Sequence, residues 1–245
     1  MKLSKATGGV LSLAFWLIIW YLAAYKVGQD LILPGPAVVL RTLGDLASEK
    51  DFWISAFMTL LRIFSGFLVG VIIGTILAVL TCAGRGADII FSPFIRTVRA
   101  VPVASFIILV LLWVGRAFVP ALVSALIVVP VVWQAVSTAI GETDKNLLEM
   151  AGAYKFGFWK TVKYVYIPSV LPSWSGAVVT AMGLAWKSGV AAEVLCLPKE
   201  AIGTQLYYSK IYLETPSLFA WTLVVIVLSF LLEYGFKLLS RRGVK

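Results

Sequence analysis

From Ile54 to Leu80 the chain reads ISAFMTLLRIFSGFLVGVIIGTILAVL, 27 residues with one formal charge, Arg62. As a helix rising about 1.5 Å per residue it reaches about 40 Å, enough to cross a hydrocarbon core roughly 30 Å thick. A helix on a soluble protein needs a continuous polar face, and this stretch has none. It therefore predicts a transmembrane helix. Gly66, Gly70 and Gly74 recur every fourth residue on one side of it, the spacing that lets a second helix approach closely in lipid.

Five more stretches have the same character: Val10 to Tyr25, Ala100 to Val114, Phe118 to Ile140, Val165 to Trp186 and Pro216 to Leu239. The first and third are the short ones. Whole-chain composition agrees, with 60% hydrophobic residues and 13% charged, the latter about half the usual quarter. The predicted class is an all-α integral membrane protein with six transmembrane helices. Lys2 and Lys5 precede the first span as in a secretory signal. Ala23, Ala24 and Tyr25 lead straight into Lys26 without a convincing cleavage site, so a retained signal-anchor is expected. The 245 residues include no histidine and two cysteines, Cys82 and Cys196. That inventory excludes a Cys/His zinc cluster, histidine acid–base chemistry and a multi-disulfide framework.

Charge sets the expected orientation. With the N-terminus inside, the four cytosolic segments hold 13 basic residues: Lys2, Lys5, Arg85, Arg96, Arg99, Lys145, Lys155, Lys160, Lys163, Lys237, Arg241, Arg242 and Lys245. Against them stand Asp88, Glu142, Asp144 and Glu149. The outside segments hold 6 basic and 6 acidic residues, so the formal +9 falls wholly on the cytosolic side. An N-in, C-in topology follows from the positive-inside rule. The cations flank spans and form no groove-sized patch, so nucleic acid is not an expected partner. Cys82 and Cys196 fall on opposite sides and are expected as free thiols.

Two segments between spans carry more information. Leu33-Pro34-Gly35-Pro36 cannot be helical. Beyond it Val38, Val39, Thr42, Leu43 and Leu46 recur at helical spacing, as a helix on the outer membrane surface or one packed on the bundle. Inside, Gly141 to Tyr164 reads as helix, bend and helix. Asp144 is placed to cap the first helix and Gly157 to allow the turn. A solvated hairpin has no use for Tyr154, Phe156, Phe158 and Trp159 together, so the loop reads as a docking element for another protein.

Glu149-Met150-Ala151-Gly152, then Gly157, Trp159, Thr161, Ile167-Pro168 and Leu171-Pro172, resembles the EAA loop of permease subunits of binding-protein-dependent ABC importers. Leu33-Pro34-Gly35-Pro36, Leu60-Leu61-Arg62 with the three glycines, Ser92-Pro93-Phe94 through Arg99-Ala100-Val101-Pro102, and Trp186-Lys187-Ser188-Gly189 to Ala192-Glu193 resemble the family's pattern in order along nearly the whole chain. The branch it looks most similar to handles nitrate, taurine, alkanesulfonates and related small compounds, with some relatives carrying vitamins or their precursors. One departure stands out: Lys155 occupies the position where the family usually has glycine.

The resemblance implies a type I importer permease fold in a bacterial plasma (inner) membrane, crossing it several times. Residues 1–54 would be an N-terminal span with its outside segment. Residues 55–240 would be the transmembrane domain, with a coupling loop at 141–164. It implies a second permease copy, two cytosolic ABC ATPase subunits docked through Glu149, Ala151, Gly152, Tyr154, Gly157 and Trp159, and an extracytoplasmic solute-binding protein. The chain has no Gly-x-x-x-x-Gly-Lys-Ser/Thr loop, so ATP is expected on the ATPase partner, with no cofactor and no covalent chemistry in this chain.

Charges inside spans cost about 2.5–3.5 kcal/mol at the bilayer centre and need a reason. Arg62 either snorkels or pairs with an acid at similar depth, for which Glu193 is the candidate. Lys187 either faces a translocation pathway, favouring an anionic ligand, or snorkels to the outer headgroups. Arg62, Lys187 and Glu193 are thus the candidate pathway residues. Glu233 is explained by an i,i+4 pair with Lys237. A gradient-driven secondary transporter or channel is the alternative function, but such proteins place acidic or histidine relays mid-membrane, and here Glu193 and Glu233 sit near span ends.

Overall fold

A computed structural model describes residues 5–243. Lys2 and Lys245, counted above toward the cytosolic charge, lie outside the described residues, as do the side chains of Lys5, Arg241 and Arg242. The described chain is helical, in the order α1 (Lys5–Val27), α2 (Pro36–Ala47), α3 (Lys50–Ala83), α4 (Arg85–Ala100), α5 (Val103–Leu111), α6 (Val119–Gly141), α7 (Lys145–Ala153), α8 (Phe158–Thr161), a π turn (Val162–Tyr166), α9 (Ile167–Cys196), α10 (Ile202–Ile211) and α11 (Thr215–Gly243). Four helical stretches are long and apolar enough to cross a membrane: Lys50–Ala83, Val119–Gly141, Phe158–Cys196 and Thr215–Leu238.

The centre is α3, α6 and α9, packed side by side. Glycine makes this possible. A Cβ on Gly66 would run into the Ala121 carbonyl oxygen of α6. One on Gly70 would lie 2.7 Å from Val128 Cβ, and one on Gly74 2.8 Å from the Val129 carbonyl oxygen. The glycine stripe of α3 is therefore the seam with α6, as the four-residue spacing predicts. Gly189 of α9 does the same where the three helices meet, 2.6 Å from Ile63 and 2.8 Å from Ser124. Around these seams Ile63, Phe67, Val128, Met182 and Trp186 are buried. The deep indoles find acceptors: Trp133 Nε1 donates to Thr81 Oγ1 at 3.0 Å and Trp186 Nε1 to the Val225 carbonyl at 3.0 Å.

Elsewhere the structure sharpens or corrects the expectations. The third expected span, Ala100 to Val114, is broken at its start. Pro102 lacks an N–H and drives Val101 out of helical geometry (φ −77°, ψ 132°). The axis turns there by 104° between α4 and α5. The nine residues of α5 span only about 14 Å, so they cannot cross the core unaided. The first expected span is present as a helix whose apolar part is Leu11–Val27. It is tied to the rest by Trp20 Nε1 donating to the Pro34 carbonyl at 3.1 Å and by stacking on Phe219. Of the two readings of Pro36–Ala47, the packed helix holds: Val39 is buried, and Leu43 and Leu46 pack on the core.

The fifth span is the longest helical run. It starts at Phe158, within the 141–164 loop, and continues to Cys196, ten residues past the expected end. Pro168 would clash with the carbonyl four residues before it in a regular α-helix, and the π turn at Val162–Tyr166 sits where that clash must be relieved.

Candidate functional site

Three arrangements concern function: the loop at 141–164, a charge cluster where the first half of α3 meets the end of α9, and a polar groove between α4, α6 and α9.

In the loop, Asp144 caps α7 by accepting a hydrogen bond from Asn146 N at 2.9 Å. Ala151 is 2% exposed and anchors α7. Glu149, Gly152 and Gly157 are exposed, as are Tyr154 (74%) and Trp159 (79%). Phe158 packs edge-on against Trp159, and Lys163 Nζ lies 5.5 Å from the Tyr164 ring. The chain turns at Lys155 and not at Gly157, which is extended (φ −70°, ψ 163°). Lys155 takes the left-handed conformation at φ 53°. Phe156 N donates to the Ala151 carbonyl and Lys155 N to the Gly152 carbonyl, both at 2.9 Å, the pair of bonds of a Schellman cap. The bend thus sits at the position where the resemblance leads one to expect glycine, held by a lysine that pays the steric cost.

Where α3 meets the end of α9, Arg62 and Glu193 pair, with Nη1 3.6 Å from Oε1. Glu193 is fully buried. Its Oε2 accepts from Thr59 Oγ1 at 2.9 Å and from Gly203 N at 3.1 Å. Thr59 Oγ1 in turn accepts from Ile202 N at 2.9 Å. Two of the orphan amides at the start of α10 are therefore capped by side chains of α3 and α9. Arg62 spreads its guanidinium over the same loop, donating to the Lys199 carbonyl at 2.8 Å and the Glu200 carbonyl at 2.9 Å. Gly203 fits because any Cβ there would strike Glu193 Cβ. Arg62 and Glu193 are occupied with each other and with the α9–α10 connection.

Lys187 stands apart from them. It is exposed, on the side of α9 that also carries Ser173, Thr180, Leu184, Ala191 and Leu195. The N-terminal part of that side forms one wall of a groove of about 500 Å³. Ser173, Ala177 and Thr180 line it from α9, Gln134, Ala135 and Thr138 from α6, Arg99 from α4, and Glu142 lies at the lip next to the loop. Gln134 Nε2 donates to Thr138 Oγ1 at 3.1 Å.

Sequence reading named Arg62, Lys187 and Glu193 but missed Thr59, Gln134, Thr138, Ser173 and Thr180, and it counted Arg99 as an ordinary cytosolic charge. Thr59 lies three residues before Arg62, one turn away on the same helix side, which is the signal that was available. The Glu233–Lys237 pair is not formed: among the described residues the ion pair is Arg62–Glu193. Glu233 faces α9 instead, where a Cβ on Gly183 would lie 2.8 Å from Oε1.

Residues 70–244 match the family described as binding-protein-dependent transport system inner membrane component. The taurine transport system permease protein TauC of Escherichia coli is 27% identical over 97% of this chain and 89% of its own length. The riboflavin transport system permease protein RibX of Chloroflexus aurantiacus is 29% identical over 93% of this chain and 88% of its own. Among solved structures, a bacterial ABC transporter that imports alginate superposes with a TM-score of 0.68 at 16% identity, over 98% of both chains. The MetNI methionine ABC transporter in an inward-facing conformation gives 0.61 at 17% identity, over 79% of this chain and 94% of that one. At those identities the likeness is one of fold. Fold, sequence match and exposed loop converge, and the chain belongs to the binding-protein-dependent inner membrane components, the permease subunits of ABC importers.

Proposed function

We propose that two copies of this permease enclose a pathway along the groove between α4, α6 and α9, and that the loop at 141–164 docks each copy on an ABC ATPase. The observation that carries the reading is the collection of Gln134, Thr138, Ser173 and Thr180 on one exposed side of otherwise apolar helices. Lys187 continues that side outward, so it is the pathway charge among the three expected. Arg62 and Glu193 brace the outer end of the same wall. Docking runs through Glu149, Gly152, Tyr154, Gly157 and Trp159 at the surface, with Ala151 holding the loop to the bundle. A solute-binding protein delivers the ligand outside.

Six crossings with both termini inside fit the chain if α1 is one and the bent α4–α5 pair another. The excess of basic residues on the inner segments supports that orientation. On this reading residues 1–54 form a peripheral span and 55–240 the transporting domain, in a bacterial inner membrane. The ligand is a small compound of the sulfonate, taurine or vitamin-precursor kind, by likeness to the relatives named above.

A single labelling experiment tests the pathway. In inside-out vesicles and a Cys82→Ser chain, whose remaining thiol Cys196 is buried, Thr180→Cys and Gln134→Cys react with a membrane-impermeant maleimide, whereas Val227→Cys, on an exposed apolar part of α11, does not. Equal protection of all three puts the groove in lipid and ends the reading.

A further inference from the structure

We infer that Arg99 is a specificity-determining residue that selects small organic anions bearing an oxyanion group, such as a carboxylate, sulfonate or phosphate, at the inner part of the groove. The inference rests on the pathway reading above and adds a charge and a residue to it.

Arg99 belongs to the last turn of α4, immediately before the Val101–Pro102 break. The 104° turn there keeps α4 from running on as a straight span. α4 packs on α6 and α5 on α9, and the groove between those helices has Arg99 in its wall. The side chain is exposed, and among the described residues it has no ion pair or hydrogen bond. A guanidinium left free beside neutral hydroxyls and an amide has the donor geometry to grip an oxyanion with two parallel hydrogen bonds. Thr138, Ser173, Thr180 and Gln134 supply those neutral groups from the facing helices. The other charged group on the groove is Glu142, at its lip. Lys187 lies seven residues beyond Thr180 on the same helix side, about two turns or 10 Å farther out. Two cations against one acid leave the route positive, with the second cation where a ligand coming from outside arrives first.

The test uses thiol reagents of opposite charge as probes, so it needs no knowledge of the natural ligand. Thr138→Cys is introduced into a Cys82→Ser chain, whose remaining thiol, Cys196, is buried. In inside-out vesicles its modification rates by sulfonatoethyl and trimethylammonioethyl methanethiosulfonate are measured and each divided by the rate for free cysteine. The anionic reagent is expected to be favoured, and Arg99→Gln to lower that preference by about fivefold, the effect of one unit charge at short range in a partly hydrated groove. Arg99→Lys should keep the preference. Arg85→Gln, at the other end of α4, should leave it unchanged. A preference that survives Arg99→Gln overturns the role of Arg99 and leaves the pathway standing. No reaction with either reagent overturns the pathway reading itself, and the inference with it.

Discussion

The two ends of the long helix from Phe158 to Cys196 are built on opposite principles. At the Cys196 end Glu193, Thr59, Arg62 and the amides of Ile202 and Gly203 engage one another inside the chain, with Glu193 Oε1 held by the ion pair to Arg62 alone. At the Phe158 end Tyr154, Phe158 and Trp159 are exposed, and Phe158 and Trp159 pack edge-on against each other. Large aromatic side chains left in the open are unfinished business for a folded protein. Polar groups already held by partners inside the chain are not. The contrast separates residues engaged within the fold from residues left open at its surface, and charge alone does not draw that line.

Substitutions at the two ends should therefore read out in different assays. Glu193→Ala removes the acceptor for Thr59, Gly203 and Arg62 at once, and loss of one side of a buried polar network costs about 3 kcal/mol or more. The expected outcome is a large drop in the thermal midpoint in detergent, with Glu193→Gln losing much less because it keeps an acceptor oxygen. Next in size is Trp159→Ala. Truncating a central aromatic anchor weakens an interface by about 2 kcal/mol, roughly thirtyfold, so titration of the ATPase onto the detergent-solubilised permease should show that loss. The thermal midpoint of the isolated permease should barely move, because surface changes stay within about 0.5 kcal/mol. A destabilised Trp159→Ala protein would erase the distinction between the ends.

Gly203→Ala comes third. It forces a methyl against Glu193 Cβ, and overpacking of this kind costs about 1–3 kcal/mol. It should loosen the start of α10, seen as faster hydrogen exchange at Ile202 and Gly203, while leaving ATPase affinity unchanged. The smallest effect is expected at Lys155→Gly. A lysine in the left-handed region gives up about 1 kcal/mol relative to glycine, so the change should stabilise the bend slightly and slow exchange at Phe156 N. Faster exchange would mean that the lysine side chain, and not the backbone geometry, holds the turn.

Hydropathy located the long helices because apolar length is a property of contiguous residues. It ran across Val101–Pro102 for the same reason: the average over Ala100 to Val114 is apolar whether or not the helix continues. The segment 202–211 gave no helical signal, since IGTQLYYSKI mixes polar and apolar residues without a clear period, and its first amides depend on caps from Thr59 and Glu193, more than a hundred and about ten residues away. The Arg62–Glu193 pair was legible because equal depth on two spans is simple arithmetic. The groove was not: Gln134, Thr138, Ser173 and Thr180 each look incidental in their own helix, and only packing shows that they share a side. The sequence showed that Lys155 stands in place of glycine, while the backbone shows that the lysine adopts glycine's conformation.

The run from Phe158 to Cys196 has 39 residues and a length of about 58 Å. Its first end begins inside the 141–164 loop and its far end carries Glu193, with no loop between them. Such an element behaves as a single stiff beam. A tilt of about 10° at the first end sweeps the far end through about 10 Å, and the loop and α10 fastened to Glu193 are carried along. The π turn at Val162–Tyr166 is the one place in the beam where the winding is already irregular, so flexing concentrates there at the least mechanical resistance.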